Sequence, residues 1–585
     1  MRFVLAIISF VIGVVLVGLG VGQRTVFAPP SSTVASTTTT GDAPVTVIPG
    51  RTLVANAGHQ HVRVSGASGT AFAAYGRTAD VMAWVGKARH NTIRYDAETT
   101  SLRDRVSGTQ RHVPSPKGSD LWYGEYEGHT LDFTVDLPAD TALVIVSNGS
   151  DPAPAHLSVT WPRDTATPLV GPLMTAGGFF VALGIALYIW AIIHQRRLRG
   201  PRRRSGGTRP PRARVSRRRA VAAGAQVPPR PRRGRRMVAV APVVALTTLA
   251  LAGCSSEYWP QGTSGTPTPT PTVTATAGPA AAAEPTAATL PQIRRIVARV
   301  AAVAAQADSS RNATTAAERF TGPALDLRKA NYTIRGSDTD VDAPPTIPSS
   351  GISVALPQQT DTWPRSVFVV LTGSQQQKDV APQALTLVQA SPRAQYKVEY
   401  DVSLEADAKL PSVAPVTTGA AQLSPDVKLL TVPPGQVASA YADILANDTA
   451  SEYADVFSSE GDELRQKIGK SYKDQKAKSL SSTAKIAYSS EVPSADSSIA
   501  LATNGAGALV STSLDEIEKV TPTQSGATLN TEGAVKALSK VGSSTKGISA
   551  TYGVQVLFSV PPVGSKAKIE LLGFTQGLIA ASEVQ

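Results

Sequence analysis

The stretch LVGPLMTAGGFFVALGIALYIWAII, residues 169–193, runs for 25 residues without a charged side chain. A helix of this length crosses the apolar core of a bilayer, because each residue adds about 1.5 Å. Tyr188 and Trp190 lie near one end, as interfacial aromatic residues do. Arginines follow at once, and positive charge beside a span stays in the cytoplasm. The pattern predicts a transmembrane helix over residues 168–194 that runs from outside to inside.

The arginine-rich segment, residues 195–236, holds 17 arginines and no acidic residue. The chain of 585 residues has a formal net charge of +13, so removing these 17 charges leaves −4. The basic character is therefore local, and its position beside a span explains it better than an RNA- or DNA-binding tail does. We predict a cytoplasmic linker, with membrane lipid as a partner and no nucleic acid.

A second long apolar run, Phe3–Gly22, stands near the start of the chain and has 20 uncharged residues after Arg2. Its length suits a transmembrane helix over residues 1–24. A cleaved signal peptide is the alternative, but no good small-x-small cleavage site stands beside the run. We therefore favour an uncleaved anchor.

A third apolar stretch, Met237–Gly253, follows four arginines and ends in Leu251-Ala252-Gly253-Cys254. This order resembles a bacterial lipoprotein signal with its lipobox, in which the thiol accepts a diacylglyceryl group. The resemblance implies lipidation of Cys254 and cleavage after Gly253, over a signal at residues 237–254. The alternative is a third transmembrane helix, although 17 residues are few for a span and Pro242 weakens a helix.

These segments agree with one topology: a multi-pass protein of the plasma membrane with most residues extracytoplasmic. The N-terminus and residues 195–236 are predicted inside, and residues 25–167 and 255–585 outside. The C-terminal region is then either held by a third span or released as a lipid-anchored lipoprotein.

The first exported region is predicted to be an all-β sandwich over residues 44–164, after a Ser/Thr-rich tether at residues 25–43. Leu131, Phe133 and Val135 alternate with polar residues, as in a half-buried strand. Further β-rich runs, including Asp80–Val85 and Leu121–Tyr126, are separated by turn residues, and we find no helical period among them.

Candidate sites in this region are weak. His59 and His61 stand two residues apart, which would place both on one face of a strand, but no third metal ligand is evident. We expect no metal site and no cofactor. Trp84, Trp122 and Tyr126 could form a platform for stacking sugars, but we expect them to pack in the core.

The C-terminal region begins after a Pro/Thr/Ala-rich linker at residues 255–288 and contains an internal repeat. Phe320 is followed seven residues later by Leu327-Arg328, and Phe457 by Leu464-Arg465, which places the two copies 137 residues apart. Amphipathic helical spacing precedes each copy and β-rich stretches follow it. The pattern predicts two α+β domains, at residues 289–425 and 426–585.

This arrangement resembles two NTF2-like domains in tandem. The stretches Trp363–Arg365 and Gln389–Lys397 are similar to an uncharacterised family of actinobacterial membrane proteins and lipoproteins. The resemblance implies a fold and carries no activity, because NTF2-like domains include both enzymes and inert binding modules. The expected fold class is a multi-domain membrane protein with an all-β sandwich ectodomain, a tandem NTF2-like α+β ectodomain, and two or three transmembrane helices.

No catalytic motif stands out in the C-terminal region. From Cys254 to Gln585 there is no histidine, no Gly-x-Ser-x-Gly elbow and no phosphate-binding Gly-x-x-x-x-Gly-Lys-Ser/Thr loop. We predict a non-catalytic binding or scaffolding module whose partner is an envelope polymer or another membrane protein. The alternative is an envelope carbohydrate-active enzyme that uses carboxylates in an NTF2-like cavity, with Asp401 as a candidate base.

Overall fold

The computed structural model describes residues 2–28, 30–163, 165–198, 284–373 and 381–585. The predicted lipoprotein signal at 237–254, including Cys254 and the bond after Gly253, lies outside the described residues. So do residues 199–236 of the arginine-rich segment and 255–283 of the linker. The chain divides into a helical unit and a β-rich unit, which are described separately below.

The helical unit is built from helices α1 (Arg2–Thr25) and α4 (Val170–Leu198), both long and apolar enough to cross a membrane. They pack antiparallel, with the rings of Phe3 and Tyr188 5.9 Å apart. Their backbones approach closely at Gly13 and Gly177, where a Cβ on Gly177 would lie 3.0 Å from the Gly13 carbonyl oxygen. Small residues at the contact are typical of helix pairs in membranes.

The β-rich unit begins with a sandwich of two sheets. One sheet has the order β1-β10-β3-β8 and the other β6-β5-β2-β9-β4-β7, in which only β2 and β5 run parallel. The apolar side chains between the sheets form the first core, which includes Trp161 and Ile48. The elements are β1 (Ser32–Thr38), β2 (Val45–Pro49), α2 (Gly50–Leu53), β3 (Gln60–Ser65), β4 (Ala71–Arg77), α3 (Thr78–Val85), β5 (His90–Asp96), β6 (Ser101–Ser107), β7 (Gly124–Gly128), β8 (Leu131–Val135), β9 (Thr141–Val146) and β10 (His156–Pro162).

The sandwich differs from its sequence prediction in two places. Residues Asp80–Val85 lie in helix α3, because Val81, Trp84 and Val85 bury one helical face against the six-stranded sheet and Asp80 stands in the first turn. The predicted tether at 25–43 contains strand β1, which pairs along its full length with β10. Its Thr and Val residues suit a strand at the edge of a sheet.

The C-terminal domain follows. In the sequence, helices precede the strands of each half of its one large sheet. Its helices are α5 (Leu290–Ser310), α6 (Ala313–Ala316), α7 (Gly322–Ser337), α8 (Val437–Asn447), α9 (Glu463–Ile468), α10 (Lys470–Ser479) and α11 (Gly533–Ser539). Its strands are β11 (Ile352–Pro357), β12 (Arg365–Leu371), β13 (Gln383–Gln389), β14 (Lys397–Leu404), β15 (Gln422–Leu423), β16 (Ala484–Glu491), β17 (Ile499–Ala502), β18 (Ala508–Pro522), β19 (Leu529–Asn530), β20 (Ser543–Ser544), β21 (Ile548–Val560) and β22 (Glu570–Glu583).

The two halves of this domain share one sheet of order β11-β12-β13-β14-β22-β21-β18-β17-β15, with β16 paired to β18. Strand β14 of the first half meets β22 of the second at Ser403 and Phe574 and at Leu404 and Gly573. A Cβ on Gly573 would lie 2.3 Å from the Ser403 carbonyl oxygen, so only glycine permits this approach. The two halves are therefore joined edge to edge in one sheet.

The two phenylalanines of the repeat occupy matching positions. Phe320 is completely buried and forms a parallel bridge with Val398, and Phe457, 2% exposed, forms a parallel bridge with Ile569. In the first half, the Thr321 amide donates to the Val398 carbonyl and the Val398 amide donates to the Arg319 carbonyl. The second half repeats this pattern, with Ser458 donating to Ile569 and Ile569 donating to Val456. Each phenylalanine therefore joins helices to sheet in its own core.

The arginines of the repeat also match. Arg328 donates to both carboxylate oxygens of Asp308, near the end of α5. Arg465 pairs with Asp448, directly after α8. The arginine of each copy therefore links its own helix, α7 or α9, to the end of the first helix of the same half, α5 or α8.

Candidate docking interface

The two stretches that carry the family resemblance lie against the sandwich. Trp363–Arg365 leads into β12, and Gln389–Lys397 joins β13 to β14, so both stand at the same end of these antiparallel strands. The opposing surface of the sandwich is formed by α3 and by the loop that leads to β7. We call these two surfaces together the docking interface.

Asp120 of the sandwich is the centre of this interface. Its carboxylate is fully buried and contacts Arg319 at 2.5 Å and Arg299 at 3.1 Å. It also accepts a hydrogen bond of 2.8 Å from the amide of Tyr396. A buried carboxylate requires such partners, because an unpaired charge in a low-dielectric interior is very costly.

Asp80 is the second buried carboxylate. The Arg365 guanidinium, which is completely buried, donates to it at 2.7 Å, and Arg77 of the sandwich donates to it at 2.9 Å. Arg365 also lies over the ring of Trp363, with its Cζ 3.6 Å from the ring centroid. The Asp80 carboxylate therefore binds one arginine from each domain, Arg77 of the sandwich and Arg365 of the C-terminal domain.

Main-chain carbonyls of the sandwich complete the polar contacts. The side chain of Gln292 donates to Asp120 and Leu121, and that of Arg393 to Trp84 and Val85. The carbonyls of Gly118 and Trp122 also accept hydrogen bonds, from Arg299 and Gln395 and from Arg295 respectively. With the exception of the Asp120 amide, which donates to Gln395, the sandwich supplies acceptors and the C-terminal domain supplies donors.

An apolar cluster lies beside these contacts. Trp84 and Trp122 are buried with their ring centroids 5.7 Å apart, on the face of the six-stranded sheet that points away from the sandwich core. Trp363 of the C-terminal domain packs against this second core. Burying aromatic surface between the domains stabilises the interface by the hydrophobic effect.

A mainly apolar cavity of about 270 Å³ lies inside the C-terminal domain, between α7, α11 and β22. Leu327, Ile334 and Leu578 are among its apolar lining residues, and Arg328 and Asp401 are among its polar ones. Asp401 lies 3.4 Å from Arg328. Burial raises the pKa of Asp401, although the nearby Arg328 partly offsets this.

A smaller cavity of about 150 Å³, here called the polar cavity, lies in the second half of the domain and is lined mainly by lysine, glutamate and tyrosine side chains. Lys473 pairs with Glu516 at 2.5 Å, and Lys476 pairs with Glu518 at 2.6 Å. Tyrosines 472, 488 and 552 complete much of the wall. Burial raises the pKa of Tyr488 to about 12, with the Glu518 charge adding to the effect.

The histidines considered for a metal do not converge. His59 lies 3.5 Å from Asp136, and His61 lies 2.6 Å from Asp132, with all four side chains substantially exposed. Within the described residues no group of three or more metal-ligating side chains occurs. His59 stands before β3 rather than inside it, so the two histidines do not share one strand face.

The aromatic residues lie where packing was expected. Trp84 and Trp122 are each 1% exposed, and Tyr126 stacks on Phe133 at 3.9 Å. Packing of the two tryptophans in a core is thus confirmed. Sequence reasoning missed the importance of Asp80 and Asp120, for which the only available signal was their position beside tryptophan-containing runs.

The fold and interface define a mixed, β-rich protein that has two helices long and apolar enough to cross a membrane, and a C-terminal domain docked on a sandwich. Residues 284–583 match the family model described as "Domain of unknown function (DUF8094)". The chain belongs to this family, and the matched residues coincide with the C-terminal domain. Comparison with curated proteins finds no match, and comparison with solved structures finds none either.

Proposed function

We propose that this protein is a non-catalytic scaffolding or binding module, held at the plasma membrane and presented outside it. The observation that carries the proposal is the pairing of buried Asp120 with Arg319 and Arg299. Such a network resists sliding or rotation of one domain on the other, because any displacement leaves a buried charge without its partner. The sandwich and the C-terminal domain thus act as one rigid body.

Chain order supports a multi-pass topology. Helix α1 precedes the sandwich and α4 follows it, so with both helices across a membrane the chain after α4 starts on the opposite side. The C-terminal domain contacts the sandwich, which requires one more crossing between Leu198 and Glu284. Met237–Gly253 is the uncharged, mainly apolar stretch available there, whether it serves as a third span or as a lipoprotein signal.

Three carboxylates in the two cavities described above favour binding over the alternative, an envelope carbohydrate-active enzyme. Asp401, Glu516 and Glu518 each lie in an ion pair with an arginine or lysine. A glycosidase needs two carboxyl groups on either side of a bound sugar, one of them free to donate a proton. We propose that an envelope polymer or another membrane protein is the partner of this rigid body, with membrane lipid around its helices.

The proposal is tested with a photo-crosslinking amino acid at position 395 of the full-length protein in intact cells. Gln395 contacts Gly118 and Asp120, so illumination is expected to join the C-terminal domain to the sandwich. A specific protease site placed within residues 262–283 then reveals the bond, because the two pieces stay together on a denaturing gel. The matched control carries the same amino acid at Lys566, which is exposed.

Failure of position 395 to cross-link to the sandwich would contradict the rigid-body proposal. Release of reducing sugar from envelope polysaccharide by the purified protein would contradict the non-catalytic part. Products of higher mass from a crosslinker at Tyr472, on the wall of the polar cavity, would identify the partner directly.

A further inference from the structure

We infer that the docking interface holds the C-terminal domain on the sandwich without any covalent connection, so that cleavage after Gly253 yields a two-chain complex. The lipoprotein fragment would then remain bound to the membrane protein from which it was cut. This inference rests on the proposed rigid body and adds that the interface also serves as a binding site between separate chains.

The first argument is the position of the contacts in the sequence. Every polar contact across the interface described above joins a residue in 77–122 to a residue in 292–396, and the apolar cluster beside them also lies outside residues 199–283. A break anywhere within residues 199–283 therefore removes none of the ion pairs, hydrogen bonds or aromatic contacts. The interface has the same groups to bury whether the chain is whole or cut.

The second argument is the complementarity of the two surfaces. The sandwich presents the carboxylates of Asp80 and Asp120 together with a row of carbonyl oxygens. The C-terminal domain presents five arginines, at positions 295, 299, 319, 365 and 393. An acidic, acceptor-rich surface facing a basic, donor-rich one gives both fast association and a defined orientation.

The third argument is what each surface would lose on separation. Asp120 and Arg365 have completely buried side chains in the complex, and Trp363 packs against the apolar core that contains Trp84 and Trp122. Separation would expose this apolar surface to water, leave Asp120 without either of its cations and leave Asp80 with Arg77 alone. A central aromatic anchor beside buried arginine pairs is the composition of residues that dominate binding energy in interfaces between proteins.

The membrane adds a further contribution. After cleavage, the lipid anchor on Cys254 and the helices α1 and α4 would keep both pieces in one bilayer. Two attachments in one membrane raise the effective concentration of each surface for the other, so that release requires both to fail. The partner that fits the sandwich is therefore the surface of a C-terminal domain that carries the five interface arginines, from the same chain or from another copy.

The test uses the full-length protein in detergent, with an N-terminal affinity tag, Cys254→Ser to prevent natural processing, and a specific protease site within residues 262–283. After complete cutting, the C-terminal piece is expected to stay on the affinity resin through repeated washing at low ionic strength. The variant Arg295→Glu/Arg299→Glu is expected to release at least ten times more of it. Both arginines are only partly buried, so these substitutions leave the domain cores untouched.

The matched control is Arg294→Glu, an exposed neighbour on the same helix, which should behave like the parent protein. Release of the parent C-terminal piece, with position 395 still cross-linking in the uncut chain, would overturn the inference and leave the rigid body standing. Equal retention of the Arg295→Glu/Arg299→Glu variant would also overturn it. Loss of the cross-link in the uncut chain would instead refute the rigid body itself.

Discussion

Asp120 and Arg319 are 199 residues apart in the sequence, yet the Oδ2 and Nη1 atoms of their side chains lie 2.5 Å apart and the carboxylate is fully buried. The pair connects a domain that precedes α4 with one that follows the arginine-rich segment. Folding of the protein therefore includes the meeting of two distant parts of the chain, and the stability of each part depends on the other.

Replacing Asp120 is expected to destabilise the docked state strongly. Asp120→Ala leaves Arg319 buried without its counter-ion, which should lower the free energy of unfolding by about 3–5 kcal/mol. Tryptophan fluorescence during denaturant unfolding of the detergent-solubilised chain measures the change. Asp132→Ala is the control, because Asp132 pairs with His61 at the surface, and it should cost under about 1 kcal/mol. Equal losses in the two variants would contradict the role given to Asp120.

The repeat predicts equal costs in the two halves. Phe320→Ala and Phe457→Ala each remove a buried ring that joins helices to sheet, and each should lower the free energy of unfolding by about 3–5 kcal/mol. The same unfolding measurement applies, with Phe27→Ala as control because that ring is 74% exposed. A large loss in one half and none in the other would show that the two positions are not equivalent.

Glu405 is expected to make stability depend on pH. Burial, with the negative charges of Asp462 and Glu463 adding to it, raises the pKa of Glu405 from 4.5 to about 7. A raised pKa means that the folded state holds the proton more tightly, so this contribution is complete below pH 4.5 and is lost as the pH rises through 7.

Glu405→Gln should therefore be more stable than the parent protein at pH 8, by about 1 kcal/mol after allowance for solvent screening at this half-exposed site. The amide oxygen can still accept the hydrogen bond from the Glu463 amide. The difference should vanish at pH 4, as followed by thermal melts across this range. Glu405 and Glu460 line one surface cavity, and Glu460→Gln, at an exposed position there, should show no such trend.

The topology is tested with single cysteines in a Cys254→Ser background and a thiol reagent that cannot cross membranes. Thr40→Cys and Lys566→Cys, both at exposed positions, should react in intact cells. Ser216→Cys should react only after the membrane is opened, because the arginine-rich segment is expected to stay inside. Reaction of Ser216→Cys in intact cells would overturn the proposed topology.

Processing at the lipobox is tested with Cys254→Ala and a C-terminal tag. Cleavage after Gly253 predicts a tagged fragment of residues 254–585 in the parent protein and an uncut chain in the variant. An inhibitor of the lipoprotein signal peptidase should reproduce the effect of the substitution. A parent band near full length, unchanged by either treatment, would indicate a third helix that ends in an unmodified cysteine.

Local patterns in the sequence predict some elements of the architecture and not others. The apolar runs near residues 3–22 and 169–193 predict helices because length and composition alone decide them. The spacing of Phe320 and Phe457 predicts a repeat because each half buries its phenylalanine by the same local pairing. The sequence of helix α3 predicts a strand, because an eight-residue segment with apolar positions at 81, 84 and 85 is too short for its helical period to be distinctive.

The docking interface could not be predicted in the same way. Asp80 and Asp120 look like ordinary surface carboxylates until residues from a distant part of the chain surround them. The stretches at 363–365 and 389–397 carry a resemblance to a known family, but their role in the interface depends on the sandwich residues that face them in three dimensions. The joining of the halves at Gly573 likewise depends on a contact with Ser403 that no local pattern encodes.

The pairing of β14 with β22 has a consequence for synthesis on the ribosome. Strand β14 ends at Leu404, and its neighbour at this edge, β22, begins only at Glu570. The first half of the domain must therefore leave the ribosome with an unpaired strand edge, the kind of surface on which sheets of different molecules join. An export chaperone that shields this edge until translation passes Glu583 would protect the nascent protein from aggregation.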